Sequence, residues 1–124
     1  MSKVSQKYFG SFGADYQTAM AVLEPIIQQA ISAHETGNYD LFVEVITHEH
    51  ASRVSREGFA KGFELVAPQL GKLNEKVFLG SLNREGDPVL LFRAEYQLCP
   101  DDVLITVQFK NDTRPPLIEY ITIE

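Results

Sequence analysis

The stretch VITHEHASRVSREGF, Val45 to Phe59, holds two of the chain's three histidines, His48 and His50, with Glu49 between them. Two imidazoles can ligate a metal, and an imidazole beside a carboxylate can move a proton. In an extended segment residues i and i+2 face one way, whereas on a helix they lie about 200° apart. A helix entering from Asn38 can run through this stretch, there is no His-x-x-x-His spacing, and a third ligand would have to come from His34 or a distant carboxylate. No metal site is therefore expected. His48, Glu49 and Arg53 read as the polar end of a helix reaching Thr47–Arg53.

Tyr16, His34, Tyr96 and Tyr120 are the pocket candidates, because each carries a polar tip on or near an apolar face. Acid/base chemistry needs such a group held in an apolar cavity with a shifted pKa. The alternative is a core ring with one satisfied hydrogen bond. Arg93 and Glu95, with Thr106 and Gln108 on the next strand, read either as a polar pocket or subunit interface, or as charged neighbours facing solvent. The single cysteine, Cys99, has no base or cation beside it in sequence, and so is not expected to be a nucleophile. Gly58 and Gly62 in REGFAKGF follow no strand in a Gly-x-Gly-x-x-Gly arrangement, so no nucleotide loop is expected. Their spacing suggests close helix packing.

These residues must be positioned by a helical half and a strand half. Tyr16, Met20, Leu23, Ile27, Ala30, Ile31 and His34 recur at steps of three and four, predicting a helix from Ala14 to about Thr36 that stops at Gly37 and is kinked or divided at Pro25. Asn38 caps a second helix with Leu41, Phe42, Val45 and Ile46 on its apolar face. Ser55 caps a third, with Phe59, Phe63, Val66 and Leu70 as its buried stripe and Pro68 and Gly71 closing it. After Lys72 the period becomes two. Strands are expected over EKVFLGSLN, VLLFRAEYQL, VLITVQFK and LIEYITIE, separated by EGDP, CPDD and NDTRPP. Connections this short make neighbours antiparallel. The fold class is α+β, with N-terminal helices packed on one face of a curved four-stranded meander.

One sheet face should be apolar and meet the helices: Leu90, Phe92, Ala94, Tyr96 and Leu98 with Val103, Ile105, Val107 and Phe109. The other is mixed, which suits a face covered by a second subunit or lining a wet cavity. Residues 1–13 read as a flexible arm, although Tyr8, Phe9 and Phe12 allow it to dock; residues 14–124 form one α+β domain.

At 124 residues, 44% hydrophobic and 23% charged, the chain suits one globular core. A net charge of −6 repels phosphate backbones and anionic lipid headgroups, so neither nucleic acid nor a membrane is an expected partner. One cysteine and no apolar run of signal or spanning length point to a cytoplasmic protein. No cofactor is expected.

The order of elements resembles the nuclear transport factor 2-like superfamily. AHETGNYDLFVEVIT is similar to its turn between the first two helices, and SREGFAKGFELVAPQLGKL to the third helix in small bacterial members without assigned activity. The four strands match in order and length. The resemblance implies a cystatin-like cone with a pocket between helices and sheet, and a homodimer through the outer sheet face. It implies no single reaction, since the superfamily includes isomerases, dehydratases, cyclases and binding or scaffolding members. The expected function is a small-ligand-binding or protein-interaction domain, with the ligand small and apolar. The second expectation is a small isomerase, dehydratase or cyclase using His34 or Tyr96.

Overall fold

In a computed structural model, residues 8–124 are described. Helices α1 (Tyr16–Thr36), α2 (Tyr39–Val43), α3 (His48–Ala51) and α4 (Arg56–Leu70) precede strands β1 (Leu73–Arg84), β2 (Asp87–Tyr96), β3 (Val103–Lys110) and β4 (Leu117–Ile123). The strands form one antiparallel sheet in the order β1-β2-β3-β4. The α+β class and the meander are as the periodicity predicts.

Asp15 starts α1 by accepting the Thr18 N–H at 2.8 Å, and Gly37 ends it in the left-handed region at φ 67°. Pro25 does not divide the helix. It lies on the exposed side, and the missing hydrogen bond costs about 3 kcal/mol, while Leu23, Ile27 and Ile31 are fully buried and contribute roughly 1.5–3 kcal/mol each.

The second helix is shorter than expected. It ends at Val43, because Ile46 forms a parallel bridge with Ile118: the Thr47 N–H donates to the Ile118 carbonyl and the Ile118 N–H to that of Val45. Val45 and Ile46 are buried, but as a turn and a bridge beside β4. Thr47 then caps the separate four-residue α3, accepting the His50 N–H at 3.1 Å.

Leu90, Phe92, Ala94 and Tyr96, with Val103, Ile105, Val107 and Phe109, are all buried under the helices. Leu98 departs from this set. The strand ends at Tyr96, and Leu98 is exposed in the turn after it. Extra residues bend the sheet: the β1–β2 register shifts around Asn74 and Leu79, and the β3–β4 register shifts so that Glu119 is unmatched between Ile118 and Tyr120.

Residues 8–13 take the docked alternative. Phe9 and Phe12 are buried, Phe12 packs edge-on against Phe109 at 5.8 Å, and the Ser11 hydroxyl accepts the Asp112 N–H at 2.9 Å. The rest of that arm, residues 1–7, lies outside the described residues. No helix among the described residues is long and apolar enough to cross a membrane.

Candidate functional site

Helix α4 is fastened at both ends. At its start the Ser55 hydroxyl accepts the Gly58 N–H at 2.9 Å, Arg56 pairs with Asp40 at 2.7 Å and lies over Tyr39, and Phe59 enters the core. At its end the Leu70 carbonyl accepts the Leu98 N–H at 2.8 Å and the Lys72 carbonyl accepts that of Gln97. Between these anchors the helix stands off the sheet. Of the stripe expected to be buried, only Phe59 is; Phe63 and Leu70 are half-buried and Val66 is 43% exposed.

Beneath the stripe is a cavity of about 300 Å³, lined on the helix side by Phe59, Phe63, Val66 and Leu70 and on the other by His34, Glu35, Tyr96 and Ile123. Gly58 and Gly62 also line it. A Cβ at Gly62 would meet nothing within 4 Å, and one at Gly58 would meet only the Ser55 hydroxyl. The expected close helix packing is thus absent at both glycines.

His34 projects from the last turns of α1. Its ring packs against Phe42 and Phe59 at centroid distances of 4.8 and 5.2 Å, and Nδ1 lies 2.8 Å from the Ala30 carbonyl. That carbonyl can only accept, so the proton sits on Nδ1 and Nε2 carries the lone pair. Burial pushes the imidazole pKa down, with the Ala30 bond opposing. Tyr96 comes from the end of β2, and burial followed by the Glu35 carboxylate pushes its phenol up to about 12. It is therefore a neutral donor near pH 7. Its hydroxyl makes no hydrogen bond among the described residues. Glu35 completes the group, its Oε1 accepting the Leu73 N–H at 2.8 Å where β1 begins opposite Tyr96.

Two of the four pocket candidates lie elsewhere. Tyr16 is 18 residues before His34 on one helix, about 27 Å along the axis; it stacks on Phe78 at 4.5 Å beside Phe9. Tyr120 pairs in register with Gln108 on the outer sheet face and is 49% exposed, because the unmatched Glu119 sets its direction. The outer face also carries Arg93, Glu95, Thr106 and Gln108. Arg93 lies 3.9 Å from Glu95 and 4.0 Å from Asp102, all partly exposed, and Gln108 donates to Asp87 at 3.3 Å. These four do not border the His34 cavity. Thr106 and Gln108 share a separate cleft of about 470 Å³ with Tyr120.

His48 is exposed and His50 buried, so the two rings point apart; among the described residues no group of three or more His, Cys, Asp or Glu could hold a metal. His50 packs edge-on against Phe42 at 5.9 Å. Its pKa is pushed down by burial first and then by Arg53 and His34, with Glu119 opposing. Glu119 pairs with Arg53 at 3.8 Å, and its Oε2 is buried with no partner among the described residues.

No family model, curated protein or solved structure matches this chain. Glu35 and the α4 wall were not legible as site residues from pattern alone. The one available signal was the pair of glycines inside a helix, each costing about 1 kcal/mol relative to alanine and so needing a reason.

Proposed function

We propose that this chain is a cytosolic small-ligand-binding domain, akin to the nuclear transport factor 2-like proteins and dimeric through its outer sheet face. The observation that carries the reading is the unfilled space under α4. An amphipathic helix fixed at both ends here borders a partly open cleft of about 300 Å³ edged by three polar groups. That volume is at the lower end of the roughly 300–1,000 Å³ typical of ligand pockets, and the lining is mainly apolar with a few polar tips. The ligand is a small apolar molecule with one polar end.

The test is a thermal melt of wild type and Gly62→Leu with and without phenylpropanol. Wild type is expected to be stabilised by about 2.7 kcal/mol at a hundred-fold excess over Kd. Gly62→Leu, which adds a bulky side chain at the cavity wall, is expected to show no ligand-dependent shift. Equal shifts in both proteins would count against this cavity.

A second reading follows from the His34 tautomer. A neutral imidazole with a free Nε2, beside a neutral phenol that can polarise a carbonyl, is suited to moving a proton next to that carbonyl, as in an isomerase or dehydratase. Deuterium exchange into phenylpropanone, lost in His34→Gln while binding persists, would favour it over simple binding.

A further inference from the structure

We infer that the cavity under α4 selects hydrogen-bond donors and cations, taking an apolar primary amine in its protonated form, with Glu35 as the residue that selects charge. This rests on the ligand-binding reading above and specifies its ligand. No Lys or Arg lines the cavity, whereas Glu35 supplies a carboxylate. Oε1 of that carboxylate is held by the Leu73 N–H, which fixes the group at the cavity wall. Its other oxygen has no partner among the described residues and is not a buried orphan, so it is accessible at the residue that lines the cavity.

The remaining polar atoms agree. His34 presents an acceptor nitrogen because Nδ1 is committed to Ala30. Tyr96 presents a hydroxyl that both accepts and donates. The walls include the rings of Phe59, Phe63 and Tyr96, whose negative π-faces attract an ammonium group. A carboxylate ligand would meet Glu35 as a like charge with no cation to offset it, inside a molecule of net charge −6. The same carbon skeleton should therefore bind in the order amine, alcohol, acid.

The experiment is a calorimetric titration of the full chain near neutral pH with phenylpropylamine, phenylpropanol and phenylpropanoate, repeated with Glu35→Gln. Glutamine keeps an acceptor for Leu73 and removes the charge. In wild type the amine is expected to bind about ten-fold more tightly than the alcohol, with the acid weakest. That preference is expected to shrink with added salt. In Glu35→Gln the amine-to-alcohol ratio is expected to fall to about one. An acid that binds as tightly as the amine to wild type overturns the inference with no variant needed, as does an amine preference that survives Glu35→Gln; in both cases the cavity remains a binding site. If none of the three probes binds saturably, the ligand-binding reading itself fails and takes this inference with it.

Discussion

His34 is a half-buried imidazole whose charged form is disfavoured by its surroundings, and buried His50 shares that property. Both have folded-state pKa values below the ordinary 6.5, so the unfolded chain binds more protons as the pH falls through that value. Their contribution is fully present above about pH 6.5 and is lost on acidification. Denaturant midpoints are expected to fall between about pH 7.5 and 5.5, with a shallower slope in His34→Gln. A midpoint that rises on acidification would show that these rings gain rather than lose from charging. Gly62, at the cavity, and Gly37, which ends α1, make an opposite pair. Gly62 has helical geometry and open space, so Gly62→Ala should stabilise by about 0.5–1 kcal/mol. Gly37 has φ 67°, and its Cβ would lie 2.9 Å from the Phe63 ring, so Gly37→Ala should cost more than about 1 kcal/mol. Equilibrium unfolding of the two variants checks both signs. His34 and Tyr96 were readable in advance because a polar tip on an apolar face is a local pattern. Glu35 was not, since its role depends on Leu73, 38 positions away, offering an N–H.

At the scale of elements, the strands follow from alternation, and the inward faces of β2 and β3 bury as the period demands up to Tyr96 and Phe109. The helices are less legible because tertiary contacts set their limits. The second ends at Val43 where β4 captures Ile46, a pairing 72 residues apart in sequence that no local signal encodes. The apolar stripe of α4 has helical spacing whether it covers packed side chains or a void, so periodicity cannot separate the two. The N-terminal aromatics are a further case, since Phe12 becomes core only when Phe109 is brought beneath it. Phe12→Ala is expected to lower stability by about 3–5 kcal/mol, the range for removing a buried phenylalanine, measured by urea unfolding. A loss under about 1 kcal/mol would mean that the segment is dispensable to the core.

For the whole molecule, the outer sheet face carries exposed apolar side chains that nothing within the chain covers. Leu82, Leu104 and Tyr120 are each at least 40% exposed there, beside half-buried Leu91 and the Arg93–Glu95 pair. Such a patch is characteristic of an interface, which supports the proposed homodimer. Light scattering of wild type is expected to give twice the 14.0 kDa chain mass, and Leu104→Glu to return it to one chain. A monomeric wild type would remove the dimer from the proposal. Composition and element order made the fold class legible, whereas the cavity arises from how far α4 stands off the sheet, a distance set by both of its anchors at once. The most direct measurement is an NMR titration of the full chain with phenylpropanol. Saturable shifts confined to His34, Phe59, Phe63 and Tyr96, absent in Gly62→Leu, are expected; no saturable shift, or shifts centred on Leu104 and Tyr120 of the outer face, would contradict a ligand site beneath α4.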